Sequence, residues 1–361
     1  MKILHIHPAM KGGGIEAMIT ALANEMSKNN DVTVCTIFDP LAEDVFWNKL
    51  SSTVSKDSLG KTTPGFSLKE IFKIYNYLRS GGFEIVHVHG FFYYYALSIL
   101  LLHQKIKFIY TVHSDAFMEN TVWDKRILSL KRFCFKHNWI HPITISNVSQ
   151  QSFYDLYKCD NKLIFNGIAK PVISEQDSIA PYKISPTTKV FVHAGRIDAS
   201  KNQIVLCKVF ERLIKNGFDV VLLIAGSKQD HSIFDSIRSF FCTRIQYLGE
   251  RNDISQLFAK CDGMCLPSVW EGLPVTLLEA LSVGCVPICS PVGGIPNVVK
   301  SGFNGILSLS NNEEDYYQAM KLFLNQSTEE CEAMKQHCIS SFASYDIQNT
   351  AKNYLNYYRS V

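Results

Sequence analysis

Glu271 and Glu279 stand eight residues apart in the stretch Ser268–Val299, which reads SVWEGLPVTLLEALSVGCVPICSPVGGIPNVV. They bracket a turn that becomes a helix. Gly272 and Pro274 suit the turn, and Pro274 suits a first helical position, where its missing N–H would be unpaired anyway. Apolar residues recur at helical spacing from Val275 to Val283. The free N–H groups of such a helix start form a site for a phosphate or a sugar hydroxyl. Glu271 precedes that site, and Glu279 lies one to two turns inside the helix. One carboxylate can reach a group ahead of the helix, the other a group lying alongside it. A nucleotide-sugar, with sugar, diphosphate and ribose in a row, has that shape. Two lone glutamates are ordinarily just solvated; the setting of this pair sets it apart. Cys285–Ser290 reads as a short buried strand, and Gly293-Gly294-Ile295-Pro296 opens a further helix.

A second group of residues carries the opposite charge. In His193–Asn202 (HAGRIDASKN) a buried strand turns at Gly195 and delivers Arg196, then Lys201 five residues later. Two cations on one loop at a strand's carboxyl end are costly unless an anion joins them. A diphosphate is such an anion: arginine engages two of its oxygens and lysine acts as a point charge. No D-x-D triplet occurs that would hold a metal on the diphosphate. Protein cations, with no metal, are therefore expected to stabilise the leaving group. The first loop, Lys11–Ala17 (KGGGIEA), fits G-x-G-x-x-A, with Asp39 about twenty residues further on. An NAD oxidoreductase is thus a rival reading. Against it, Pro8–Lys11 separate the strand from the first glycine, whereas that fingerprint turns directly off its strand.

These residues need a scaffold of alternating strands and helices. Strands are expected at Lys2–His7, Asp31–Ile37, Glu84–His89, Phe108–His113, Pro142–Ile145 and Leu163–Asn166. A second series runs through Lys189–His193, Val220–Ala225, Ile245–Leu248, Gly263–Leu266, Val286–Ile288 and Gly305–Leu307. Helical segments lie between, the first beginning near Gly14. Such alternation implies α/β architecture with parallel sheets covered on both faces. The 361 residues suggest two domains, with a linker at Pro171–Thr188. A 47% apolar content is ample for two cores, and a net charge of +3 argues against a nucleic-acid partner.

The motifs together resemble the retaining glycosyltransferases of the two-domain GT-B fold, in the large family four (glycosyl transferases group 1). That family carries paired glutamates in an E-G-x-P…E-A setting, a G-R-x-x-x-x-K-N loop and a G-G-x-P-E turn. Asn297 replaces the last glutamate here. The resemblance implies two Rossmann-like domains facing across a cleft. Residues 1–170 would be the acceptor side, residues 171–345 the donor side, and a final helix at 346–361 would pack back on the first domain. It implies a donor site of Gly13, Gly14, Gly195, Arg196, Lys201, Ser227, Glu250, Arg251, Glu271, Gly272, Leu273, Val275, Thr276 and Glu279. His113, in a T-x-H segment, would lie near the transferred sugar, with His87 and His89 on the preceding strand. The catalytic set becomes His113, Arg196, Lys201 and Glu271. The reaction would move a hexose or N-acetylhexosamine, from a UDP-sugar above other donors, to a glycan or lipid-linked saccharide. A sugar-nucleotide epimerase and a non-catalytic nucleotide-sugar sensor remain alternatives.

Over Trp123–His137, read as one helix, Lys125, Arg132 and Lys136 share a face edged by Leu128 and Phe135. Such a stripe suits an anionic membrane surface or is simply solvated. The aromatic run Phe91–Tyr95 is either core or acceptor platform. Neither a signal peptide nor an apolar run of about 20 residues is seen, so a cytoplasmic enzyme, peripheral on the membrane's inner face if the stripe binds, is expected. Eleven cysteines without a C-x-x-C pair fit reduced, buried thiols better than zinc, despite the spacings Cys261/Cys265 and Cys285/Cys289.

Overall fold

The computed structural model describes residues 1–361 except 43, 64 and 121, and it divides into two compact units. Unit 1 comprises Met1–Ala169 with Asp346–Val361, and unit 2 comprises Lys170–Tyr345.

Unit 1 is built on seven strands: β1 (Lys2–His7), β2 (Asp31–Phe38), β3 (Ser55–Lys61), β4 (Ile85–His89), β5 (Lys107–Val112), β6 (His141–Thr144) and β7 (Lys162–Leu163). All pair in parallel, in the order β3-β2-β1-β4-β5-β6-β7. The central strands are buried on both faces, which is why they read as continuous apolar runs. β3 was not legible. Its sequence SKDSLGK buries only Leu59 and Lys61, because it is an edge strand with one face in solvent.

The last helix, Ile347–Ser360, belongs to unit 1. Tyr354 and Tyr358 are buried in one cluster with Met18, Ile19 and Leu22 of the helix Gly14–Met26. The aromatic run resolves as packing: Phe92, Tyr93, Tyr94 and Tyr95 lie in a core with Phe108, Phe135 and Tyr157. It is no open platform.

The expected single helix over 123–137 is two, Val122–Arg126 and Leu128–Lys136, broken at Ile127. A wheel drawn on a straight axis therefore fails here. Lys125 and Lys136 are exposed, but Arg132 is not a free surface cation: its Nη2 donates to Leu156 O at 2.5 Å. Lys131, one residue earlier, is only 1% exposed. Its ammonium donates to Tyr110 Oη at 3.1 Å and Asn120 Oδ1 at 3.0 Å.

Unit 2 holds β8 (Lys189–Ala194), β9 (Val220–Ala225), β10 (Ile245–Gly249), β11 (Gly263–Leu266), β12 (Val286–Cys289) and β13 (Ile306–Leu307). They form a parallel sheet ordered β10-β9-β8-β11-β12-β13. The segment ahead of β8 is tied down by Gln256, which accepts from Ser174 N at 2.9 Å and donates to Val172 O at 2.7 Å. Cys261, Cys265, Cys285 and Cys289 are buried. Burial holds the Cys265, Cys285 and Cys289 thiols well above their ordinary range. Metal-binding thiolates need the opposite shift.

Candidate functional site

In unit 2 the chain works outward from β8 through β9 to β10, then returns beside β8 as β11. In such sheets ligands bind beyond the strands' carboxyl ends at this reversal. The loops leaving β8 and β11 run side by side there. Val269 N donates to Ser200 O at 2.8 Å, and Asn202 Nδ2 donates to Pro267 O at 3.2 Å. Lys201 Nζ meets Glu271 Oε1 at 2.5 Å, and Ser268 Oγ donates to the same oxygen at 2.7 Å. The pair is largely sequestered, with side chains 15% and 8% exposed. The sequence suggested separate contacts for the two residues, to diphosphate and to sugar. In the structure they are each other's partner. Among the described residues, Glu271 Oε2 and two N–H bonds of Lys201 have no partner.

Arg196 is more open, its side chain 52% exposed and its Nε 3.5 Å from Asp198 Oδ2. Its backbone is held firmly. Gln203 Nε2 donates to Arg196 O at 2.7 Å and to His193 Nε2 at 3.2 Å. His193 Nδ1 lies 2.9 Å from Cys265 O, a carbonyl that can only accept, so Nδ1 carries the proton and Nε2 accepts. Burial pulls the His193 pKa down to about 4, consistent with this neutral form. Gln203 and His193 carried no assigned role in the sequence reading. A signal existed for Gln203: it falls on the same helix face as Leu206, Cys207 and Phe210, all buried. A polar residue on an apolar face needs a partner.

The loop after β9 presses on the same backbone. A Cβ on Gly226 would lie 1.9 Å from Gly195 O, so only glycine allows this approach. Gly226 N donates to Gly249 O at 2.8 Å, and Tyr247 Oη donates to Gly226 O at 2.7 Å. The Ser227 carbonyl accepts from Ile197 N at 2.8 Å. Glu250 is exposed, whereas the Arg251 guanidinium is occupied by Asp253 at 2.8 and 2.6 Å.

The helix after the Glu271 turn runs Val275–Ser282, and Pro274 caps it instead of occupying its first position. Leu273 and Val275 are buried, so what they offer a ligand is backbone. Thr276 and Glu279, three apart, share the half-buried face. The turn is backed by the loop after β12: Gly294 N donates to Gly272 O at 2.6 Å. Asn297 lies in the short helix Ile295–Val298 that follows.

In unit 1 the reversal falls between β1 and β4. Gly13 caps the helix that opens at Gly14, and a Cβ on Gly13 would come 2.7 Å from Glu16 Oε2. The Glu16 carboxylate, 3.8 Å from His7 Nε2, therefore lies over the glycine loop. An acid there opposes a pyrophosphate at this helix start, which weighs against NAD and equally against a diphosphate contact for Gly13 and Gly14. His113 follows β5 and is 8% exposed; its backbone N–H donates to Glu119 Oε1 at 2.6 Å.

Ring nitrogens of His5, His87 and His89 lie within 4.8 Å of one another. Five of their six ring nitrogens have partners among the described residues, the exception being His5 Nε2. His87 meets Thr111 Oγ1 and Tyr358 Oη, each at 2.7 Å. His89 meets His5 Nδ1 at 3.2 Å and His113 Nε2 at 3.0 Å. An ion held by all three rings would have to displace bonds of His87 and His89.

Two parallel α/β units, one with an arginine, a lysine and paired glutamates at its sheet reversal, define a Rossmann-like, two-domain protein. Residues 174–339 match the family described as Glycosyl transferases group 1, and residues 12–169 match Glycosyltransferase Family 4. The chain belongs to the family-four glycosyltransferases of the GT-B fold. It is 27% identical over 198 residues to the UDP-Gal:alpha-D-GlcNAc-diphosphoundecaprenol alpha-1,3-galactosyltransferase of Escherichia coli. That match covers 53% of this chain and 48% of the relative, so the chain spans about half the relative's length. It is 24% identical to a Campylobacter jejuni GalNAc-alpha-(1->4)-GalNAc-alpha-(1->3)-diNAcBac-PP-undecaprenol alpha-1,4-N-acetyl-D-galactosaminyltransferase, over 94% of both chains. Among solved structures, Anabaena HepE in complex with UDP and glucose superposes with a TM-score of 0.79 over 100% of both chains, at 16% identity.

Proposed function

We propose that this glycosyltransferase moves a hexose or N-acetylhexosamine from a UDP-sugar to a lipid-linked saccharide, with retention of anomeric configuration. The observation that carries the reading is the Lys201–Glu271–Ser268 cluster at the reversal of the unit 2 sheet, with Lys201 on the loop that also carries Arg196. Cations gathered there suit a departing diphosphate, and Glu271 Oε2 suits a sugar hydroxyl. Glu279 then takes the ribose hydroxyls. His113, at the carboxyl edge of the unit 1 sheet, takes a sugar hydroxyl. Front-face displacement, without a covalent intermediate, completes the reading. The acceptor class follows the two bacterial relatives, whose names specify undecaprenol-linked saccharides.

The first test is binding of UDP, GDP, ADP and NAD by thermal shift. UDP at a hundred times its dissociation constant adds about 2.7 kcal/mol and should raise the melting point by several degrees. A shift with NAD alone would sink the reading. Glu279→Ala should weaken UDP binding by roughly ten- to over a hundredfold, because a charged hydrogen bond contributes about 1.5–3 kcal/mol. Unchanged affinity would remove Glu279 from the donor site.

Transfer should persist in EDTA, since Arg196 and Lys201 supply the charge that a metal would otherwise bring. Complete loss on chelation, restored by magnesium or manganese, would reverse that expectation.

A lipid-linked acceptor brings the enzyme to a membrane surface, from the cytoplasmic side under this reading. No described helix is long and apolar enough to cross a membrane. Lys125 and Lys136 are the exposed members of the former stripe. Changing both to Ser should weaken binding to anionic vesicles about thirtyfold, at about 1 kcal/mol per cation. Equal sedimentation of variant and wild type would make these ordinary solvated lysines.

A further inference from the structure

We propose that His5 and His89 are positioning residues that hold His113 in its Nδ1–H tautomer, so that His113 meets substrate as a hydrogen-bond donor and not as a base. The part concerning substrate rests on the reading above; the tautomer itself does not.

The three rings sit at neighbouring points of the unit 1 sheet, on β1, on β4 and just beyond β5. They form one chain: His5 Nδ1 to His89 Nε2 at 3.2 Å, then His89 Nδ1 to His113 Nε2 at 3.0 Å. His5 and His89 are 0% exposed. Burial holds all three well below the ordinary histidine range, His5 and His113 at about 3, so each ring is neutral. A neutral imidazole has one donor and one acceptor nitrogen. The chain can therefore point only one of two ways.

The deep end decides between them. His5 Nε2 is buried and has no hydrogen-bond partner among the described residues. If the protons pointed inward, from His113 towards His5, that nitrogen would carry an N–H with nothing to receive it. If they point outward, it holds only a lone pair. Orphaned buried N–H groups are rarer than under-satisfied acceptors. The outward direction therefore prevails: His5 Nδ1–H donates to His89, and His89 Nδ1–H donates to His113 Nε2. His113 Nε2 becomes an acceptor and its proton sits on Nδ1. Side bonds keep the chain in register. His7 Nδ1 donates to His89 O at 2.9 Å, and Glu119 Oε1 holds the His113 backbone N–H at 2.6 Å. His113 Nδ1 makes no hydrogen bond to a described residue, so its N–H is available to a substrate oxygen with a lone pair, such as a sugar hydroxyl.

The test is a long-range proton–nitrogen correlation spectrum of the whole protein, uniformly labelled with nitrogen-15 in histidine, at pH 7 without ligand. His113→Gln identifies the His113 signals by their loss. The expected result is a protonated, pyrrole-type Nδ1 and an unprotonated, pyridine-type Nε2 for His113. A protonated Nε2 in the wild-type protein overturns the proposal, whatever the enzyme's donor proves to be. In a folded His89→Phe variant, His113 Nε2 loses its donor, and the ring should move to Nε2–H or to a mixture. A pure Nδ1–H spectrum in that variant would show that His89 does not set the tautomer. If the variant does not fold, the wild-type spectrum alone decides. A failure of UDP to bind would overturn the donor reading and leave this spectrum unaffected.

Discussion

Arg196→Ala is expected to lower turnover a hundred- to a thousandfold while changing donor binding much less. The diphosphate gains charge as the glycosidic bond breaks, so a cation there binds the transition state more tightly than the ground state. Removing one comparable contact typically has this effect. Because the Arg196 side chain is 52% exposed and its acidic neighbour Asp198 is 3.5 Å away, its loss leaves no buried charge behind. The melting point should hardly change. Lys201→Ala should lower turnover similarly but also destabilise the fold. It strands Glu271, whose side chain is 8% exposed, with Ser268 as its remaining partner among the described residues. Breaking a pair sequestered to this extent costs about 3 kcal/mol, or roughly 6–12 °C in melting temperature for a unit of this size. Adding Glu271→Gln to Lys201→Ala should restore much of that stability and none of the turnover. The two cations share one anion, so their kinetic effects should not add. Steady-state kinetics with donor varied at saturating acceptor makes the measurement. If both single variants kept wild-type turnover and only raised KM, the pair would be a binding clamp. If neither parameter moved, the diphosphate would lie elsewhere.

The pairing behind this prediction shows what a sequence can and cannot carry. Arg196, Lys201 and Glu271 were legible as chemistry because charged residues beside glycines follow apolar strand-like runs. That Lys201 and Glu271 touch was not legible. Seventy residues separate them, and only the reversal that places β11 beside β8 brings their loops together. The alternation of strands was readable where strands are buried on both faces. It failed at β3, whose exposed edge has no apolar pattern. The helix break at Ile127 was hidden because a helical wheel assumes a straight axis, and the true partner of Arg132 is a carbonyl on another helix. The histidine chain was half visible. The spacing of His87 and His89 puts them on one face of a strand, but His5 joins them only through the neighbouring strand.

Gly293→Ala should disable the enzyme without touching any charged group. Gly293 has φ +57, and a Cβ built there lies 1.9 Å from Glu271 O and 2.7 Å from Glu271 C. Both atoms are backbone, so no rotamer can relieve the contact. An ordinary contact requires more than an ångström of movement, either by the loop after β12 or by the Glu271 turn. The turn is fixed on its other side by Lys201 and Ser268. A misplacement of about 1 Å at a reacting group can lower the rate about a hundredfold, and that loss in turnover is the expected result. Holding a non-glycine residue at this φ adds about 1–3 kcal/mol of strain, so the melting point should also fall. Gly302→Ala separates the two effects. Gly302 also has a positive φ, +80, but a Cβ there meets nothing within 4 Å. That variant should show the strain in its melting point and keep near wild-type turnover. If Gly293→Ala behaved like Gly302→Ala, with stability lowered and turnover intact, the position of the Glu271 backbone would not matter to the reaction. The assignment of Glu271 to the transferred sugar would then fail.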